Sequence, residues 1–236
     1  MASEPRVHAL ITAAGRGVRF GGAAPKQYAR LLGKTVLAHS IDAVQRHPAV
    51  VGVTVTLAAD DSYYDELVRP YYPEVLTVEG GDSRAQSVIN GLRFVLRQDS
   101  GCEWVMVHDA ARPCLSAECL QRLLNQGLKS PGGAILACPV SDTLKQADEA
   151  GYIARTVDRS GMWAAQTPQL FPLPALTENL QGALSRGLNP TDEAAAMEFA
   201  GASPLLVAGT STNIKITSAE DLALAEFIMN HQVIVE

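Results

Sequence analysis

A chain of 236 residues, 47% hydrophobic and 19% charged, has the material for a sizeable core and is not a disordered polymer. A formal net charge of −6 argues against a nucleic-acid partner, and no uninterrupted apolar run is long enough to span a bilayer. Cys102, Cys114, Cys119 and Cys138 lack C-x-x-C spacing, which sets aside zinc ligation, a redox motif and a disulfide scaffold in favour of reduced, mostly buried thiols.

The polar opening, Met1 to Arg6, lacks the order of a signal peptide. That points to the cytoplasm, or to a chain from which a targeting segment has been removed. Val7 to Ile11 is an apolar strand that runs into Thr12-Ala13-Ala14-Gly15. A glycine-rich loop continues to Gly22, Pro25-Lys26-Gln27 closes it, and Val36 to His47 reads as a helix. Val50 to Leu57, rich in β-branched residues, is the second strand and Val75 to Val78 a short third. Ser83 to Arg97 carries Val88, Leu92, Val95 and Leu96 on one helical face. Trp104 to Val107 is the fourth strand. Ser116 then caps a helix reaching Lys129 with Leu120, Leu123 and Leu124 inward. Gly133 to Val140 is the fifth strand. From Ser141 to Thr167 the chain turns polar, with a turn at Asp148-Glu149-Ala150-Gly151 and weak alternation after it, as in a projecting hairpin. Thr191 to Ala200 is an alanine-rich helix stopped by Gly201. Short strands follow at Leu205 to Val207 and Ile214 to Ile216, and Ser218 to Asn230 is a helix opening on a capping-box pattern.

Strands alternating with helices predict an α/β fold whose mostly parallel sheet is covered on both faces. Ligands in such folds bind at the carboxyl ends of the strands. Residues 1–236 are read as a single domain from which an arm projects at about 141–167, with a second subunit as the simplest thing for it to pack on.

Charge is unevenly placed. No acidic residue lies between Glu4 and Asp42, while Arg6, Arg16, Arg19, Lys26, Arg30 and Lys34 do. Such a segment in an acidic protein suits a small polyanion, the alternative being a solvated basic face. The glycine loop is not the dinucleotide fingerprint, because Gly15 and Gly17 are followed by Phe20 where a small residue is required. Nor is Gly33-Lys34-Thr35 a P-loop, since Tyr28 stands at the glycine position. With Arg16, Arg19 and Lys26 the loop points to triphosphate binding, against the plainer reading of a tight strand-to-helix connection.

The pattern A-A-G-x-G-x-R followed by P-K-Q resembles the signature of sugar-phosphate nucleotidyltransferases. Gly80-Gly81-Asp82-Ser83-Arg84, His108-Asp109-Ala110-Ala111-Arg112-Pro113, Thr156-Val157-Asp158-Arg159, Thr167-Pro168-Gln169, Thr191-Asp192-Glu193 and Asn213-Ile214-Lys215-Ile216-Thr217 narrow it. Together, from Val7 to about Phe227, they resemble the 2-C-methyl-D-erythritol 4-phosphate cytidylyltransferases of the non-mevalonate isoprenoid pathway. Thr12 stands where that family usually has proline, and Thr212 where it has aspartate beside Lys215.

The resemblance implies a Rossmann-like nucleotidyltransferase fold, a homodimer with the hairpin arm reaching the partner's active site, and CTP, Mg²⁺ and 2-C-methyl-D-erythritol 4-phosphate as ligands. It implies that Arg19, Lys26, Arg159 and Lys215 are catalytic. It sets Ala13, Ala14, Gly15, Gly17, Gly81, Asp82, Ser87 and Ala110 against CTP, with Gly81, Asp82 and Ser87 holding the cytosine. Asp109, Arg112, Thr143, Arg159, Thr167, Thr191 and Lys215 are the implied substrate-side residues. Asp109 ends a strand, where a hard oxygen suits Mg²⁺; capping a helix or pairing with Arg112 is the alternative. Asp82 could also cap the helix near Ser83, Lys26 could be an exposed loop lysine, and His108 reads as structural. In-line attack of a phosphate on the α-phosphorus needs charge neutralisation and alignment more than acid–base help, which explains cations in place of a Ser-His-Asp set. The rival readings are a ribitol-5-phosphate cytidylyltransferase, a nucleotide-binding protein without turnover and an NAD-type oxidoreductase.

Overall fold

The computed structural model describes residues 5–15, 20, 24–98 and 101–232. Strand β1 (Val7–Thr12) is followed, after the loop, by a 3₁₀ turn (Lys26–Tyr28) and a small ribbon of β2 (Arg30–Leu31) and β3 (Lys34–Thr35). Next come α1 (Val36–Gln45), β4 (Val50–Leu57), α2 (Tyr64–Leu67), β5 (Leu76–Glu79), α3 (Arg84–Gln98), β6 (Trp104–Asp109), α4 (Ala117–Gly127) and β7 (Ala134–Pro139). The chain ends with β8 (Leu144–Ala147), β9 (Ile153–Val157), β10 (Trp163–Pro172), α5 (Leu173–Ser185), α6 (Glu193–Phe199), β11 (Leu205–Ala208) and α7 (Ala219–Gln232).

Seven strands form one sheet in the order β11-β7-β10-β6-β1-β4-β5. All neighbours are parallel except β10, which runs against both β6 and β7. Side chains alternate across the sheet with period two. Ala9, Ile11, Val53, Val55 and Met106 pack beneath α1 and α4, while Leu10, Val105 and Val107 pack against α3, α5 and α6. These are the two covered faces that the βα alternation predicts. A third, smaller cluster joins Leu31 and Val36 to Ile216, Ala225 and Ile228 under α7.

Helix ends follow local chemistry. Ser116 accepts from the Cys119 amide at 3.2 Å, Thr35 from Ala38 at 3.1 Å and Asp192 from Ala195 at 2.9 Å. At the start of α7 the Asp221 carboxylate accepts from the Thr217 and Ser218 amides at 2.7 and 2.8 Å, and the Asp221 amide turns back to Ser218 Oγ. Gly201, with φ +85°, stops α6.

Several expectations need correction. Leu96 lies 37% exposed, off the buried face of α3. Ile214 to Ile216 is no strand: Ile216 donates its amide to Ala111 O and its side chain fills the cluster under α7. The projecting hairpin is shorter than 141–167. Strands β8 and β9 pair with each other, and Gly151 (φ +86°) completes their turn. Trp163 onward has already joined the main sheet. Helix α5 is hidden in the sequence because Pro172 and Pro174 read as breakers, yet proline is tolerated in a first turn, and Leu173, Leu176 and Leu180 are buried. Three cysteines are buried and Cys138 is half-buried; all are free thiols.

Candidate active site

The sheet order reverses beside β1: the chain builds outward to β4 and β5, then returns to place β6 on the other side. Such a reversal opens a crevice at the carboxyl ends of the two strands. Thr12 and Asp109 are register partners there, the last residues of β1 and β6. A cleft of about 680 Å³ opens above them.

Its wall gathers Ala13, Ala14, Gly15 and Lys26 from the first loop, Gly81, Asp82 and Ser87 from the start of α3, and Asp109, Ala110 and Lys215. Every one of these was expected from sequence. Gly17 and Arg19, with Arg16, lie outside the described residues. Lys26 Nζ donates to the Ile216 carbonyl at 2.7 Å, so the first loop is tied to the main chain next to Lys215. Gln27 fixes the same loop from behind, donating to Ala13 O at 2.7 Å and Gly15 O at 3.2 Å. Phe20 packs toward the cluster under α7.

Gly81 and Ser87 are locked together: the Gly81 amide donates to Ser87 Oγ at 3.0 Å, and that hydroxyl reaches Ser83 O at 2.9 Å. Ser83 Oγ, not Asp82, accepts from the Gln86 amide at the helix start. A Cβ on Gly80 would lie 2.6 Å from Ala14 Cβ, so only glycine lets the two walls approach this closely.

Asp109 is the hub. Its Oδ2 accepts from Lys215 Nζ at 2.7 Å, with Arg112 Nε farther off at 3.9 Å. Oδ1 accepts from Arg84 Nε and Nη2, each at 3.2 Å, and from the Thr12 hydroxyl at 3.3 Å. Burial works to raise its pKa, but Arg84 and Lys215 outweigh it and hold the carboxyl well below the usual range. Both unusual residues gain a physical account. Thr12 supplies a hydroxyl that proline could not, and Asp109 orients Lys215 where Thr212 cannot, Thr212 being bonded to Thr210 at 2.9 Å.

Other expected residues stand elsewhere. Thr167 is 4% exposed behind the cleft, its Oγ1 accepting from the Asp109 amide at 3.0 Å. That hydroxyl therefore donates its proton to His108 Nδ1, at 3.0 Å, while Nε2–H donates to Arg112 O at 3.1 Å. Burial lowers the His108 pKa to about 4, so the ring is neutral and structural, as expected. Arg112 Nη1 braces the Lys215 segment by donating to Asn213 O at 2.7 Å, and Asn213 Nδ2 donates to Thr167 O at 2.9 Å. Burial lowers the Arg112 pKa. Thr191 is exposed just before α6, and Thr143 and Arg159 are exposed on the arm; none of the three lines this cleft.

The sequence reading gave no role to Arg84, Glu193, Asn213 or Gln27. Glu193 offered a faint signal, the second of two adjacent acids followed by a run of alanines at the start of a helix. Burial raises its pKa despite the opposing pull of Arg84.

The arrangement can hold a polyanion between two lysines and a planar base against a glycine-lined wall. It supplies no group of three His, Cys, Asp or Glu side chains among the described residues that would cage a metal. One strand-end carboxylate is nonetheless a donor set that fits an ion carried in by phosphates, as Mg²⁺ commonly is.

A family model described as 2-C-methyl-D-erythritol 4-phosphate cytidylyltransferase matches residues 7–231. A protein of that name from Vibrio vulnificus is 45% identical over 224 residues, 95% of this chain and 94% of the relative. Another, from Haemophilus influenzae, is 47% identical over 221 residues, 94% of this chain and 95% of the relative. Among solved structures, a 4-diphosphocytidyl-2C-methyl-D-erythritol synthase superposes with a TM-score of 0.84 at 38% identity, over 95% of this chain and 99% of the other. The Francisella tularensis 2-C-methyl-D-erythritol 4-phosphate cytidylyltransferase gives 0.82 at 32% identity, over 94% and 99%.

Proposed function

The chain belongs to the 2-C-methyl-D-erythritol 4-phosphate cytidylyltransferase family, and we propose that it transfers CMP from CTP to 2-C-methyl-D-erythritol 4-phosphate, releasing pyrophosphate. The observation that carries this reading is the meeting of Lys26 and Lys215, from opposite ends of the chain, in one cleft beside a glycine-walled recess. The family match, in which the relatives are named as cytidylyltransferases, favours this reading over a dinucleotide oxidoreductase or a passive binding module.

In this reading a phosphate oxygen of the acceptor attacks the α-phosphorus of CTP. The new P–O bond forms as the bond to the β-phosphate oxygen breaks, and its electron pair leaves with pyrophosphate. The nucleophile is already an anion, so no general base is required. Lys26, with Arg19 on the same loop, neutralises charge growing at the α-phosphate. Lys215, now paired with Asp109, would hold a phosphate, and Asp109 is the residue that would hold Mg²⁺. Bound there, the ion would neutralise the triphosphate and help expel pyrophosphate. Gly81, Asp82 and Ser87 receive the cytosine, while Ala13, Ala14, Gly15 and Ala110 crowd the nucleotide's other edge; Gly17 is assigned to CTP on the resemblance alone. Arg112 and Thr167 brace the Lys215 segment and Asp109 from behind.

The arm supplies the rest. Arg159 and Thr143 serve acceptor binding in the cleft of a second copy; Thr191 is assigned to acceptor binding on the resemblance alone. Tyr152 and Ile153 are 74% and 67% exposed on the arm, apolar surface that a second subunit would cover. No helix among the described residues is long and apolar enough to cross a membrane.

Pyrophosphate release from CTP, measured against a panel of polyol phosphates, tests the assignment. The expected result is turnover with 2-C-methyl-D-erythritol 4-phosphate. Turnover with ribitol 5-phosphate alone would overturn it.

A further inference from the structure

Arg84 and Glu193 have no part in the chemistry just described, yet they meet at the cleft's wall, which Arg84 lines and behind which Glu193 is buried. Glu193 opens α6 with its side chain 2% exposed and gives both carboxylate oxygens to one guanidinium. Arg84 Nη1 donates to Oε1 at 2.7 Å and Nη2 to Oε2 at 3.0 Å. The same guanidinium donates from Nε and Nη2 to Oδ1 of Asp109. Four of its five N–H bonds are thereby committed. A lysine has the charge but not the planar fork, and could not bridge the two acids in this way.

The two oxygens of Asp109 consequently differ. Oδ1 is held by Arg84, itself pinned from the interior by Glu193. Oδ2 is held by Lys215, whose side chain is 40% exposed and lines the cleft. Both cations line the cleft, but only the Arg84 contact is braced by a buried acid; the Lys215 contact can be given up.

The geometry points to Glu193 and Arg84 as positioning residues that fix Oδ1 of Asp109, so that Oδ2 stays turned to the cleft and exchanges Lys215 for a divalent cation arriving with the nucleoside triphosphate. This rests on the reading of the cleft as a nucleotidyltransferase site and deepens it. Without Glu193 the Arg84 guanidinium loses its brace, and Asp109 loses the anchor that aims it.

The test uses the full chain with Glu193→Gln and, separately, Arg84→Lys. Calorimetric titration with CTP is run with Mg²⁺ and again with excess chelator, beside circular dichroism and steady-state kinetics across a Mg²⁺ series. Both variants are expected to weaken Mg²⁺-dependent CTP binding by roughly 10- to 100-fold, the usual effect of removing a ligand's outer partner, and to raise the half-activating Mg²⁺ concentration in step. Binding with chelator stays unchanged. Equal losses with and without Mg²⁺ would mean generic damage to the cleft and overturn the proposal, as would no loss at all. If Glu193→Gln does not fold, Arg84→Lys decides, since it keeps the positive charge. Acceptor turnover is measured on the unsubstituted protein. If no polyol phosphate is used but the Mg²⁺-specific loss persists, the assigned reaction fails and the clamp stands. If turnover is normal and the loss is absent, the clamp alone falls.

Discussion

Replacing Lys26 with alanine separates catalysis from folding. The side chain makes a 2.7 Å hydrogen bond to the Ile216 carbonyl. Losing one such bond costs about 1 kcal/mol, which for a chain of this size lowers the melting temperature by about 2–4 °C. The catalytic loss is far larger. Removing a single preorganised donor from charge that develops in the transition state lowers kcat by roughly 10²–10³, or about 3–4 kcal/mol. The variant should therefore melt almost normally and turn over hardly at all. Pyrophosphate release at saturating CTP, paired with a thermal melt, measures both quantities on one sample. Lys26→Arg keeps the charge and should recover part of the rate. A Lys26→Ala protein with full turnover would refute the role given to this lysine. One whose activity falls only in step with its folded fraction would show it to be a structural tie.

Three further outcomes are expected. His108 carries a folded pKa of about 4 against an ordinary 6.5, so the unfolded chain takes up a proton first as pH falls. The stability this neutral ring contributes is complete above about pH 6.5 and is lost toward pH 4, at up to about 1.4 kcal/mol per pH unit. His108→Gln should flatten that part of the urea-unfolding profile, and an unchanged slope would contradict the assignment. Gly80→Ala places a methyl 2.6 Å from Ala14 Cβ, 2.9 Å from Ser87 Oγ and 3.2 Å from the Leu57 carbonyl. Overpacking of this kind costs about 1–3 kcal/mol. It should raise KM for CTP more than it lowers kcat, and steady-state kinetics would read the split. Changing Tyr152 and Ile153 to serine should halve the mass seen by light scattering and depress activity at low protein concentration; a fully active monomer before substitution would rule out the shared site.

What the sequence made legible was set by short-range physics. The Val7–Ile11 run, the Ser116 cap and the buried leucines of α4 follow from periodicity and side-chain chemistry within a few residues. The lysines stood out because the surrounding segment lacks acids. Features built across long separations were silent. Arg84 finds Glu193 109 positions away, and nothing near either residue announces the other. The Lys215 segment looks like a strand from its composition, but its hydrogen bonds go to Ala111, Lys26 and Arg112 in place of a sheet neighbour. Strand β10 was hidden for a related reason: it opens on exposed apolar residues, Trp163 to Ala165, followed by the buried polar Gln166 and Thr167, so the change from arm to sheet at Trp163 leaves no boundary in the pattern.

The reversed direction of β10 has a consequence for where this architecture can grow. Because β7 leaves the sheet at Pro139 and β10 re-enters opposite it at Trp163, both roots of the excursion sit on the edge where β6 presents Asp109. Val140 and Met162 fasten those roots with a 3.0 Å amide–carbonyl bond. A strand laid the usual way would have begun at the far edge and forced any detour to cross a helical layer. Lengthening, shortening or redecorating the loop between these two anchor points therefore alters what overhangs the ligand while leaving the order of the seven strands untouched.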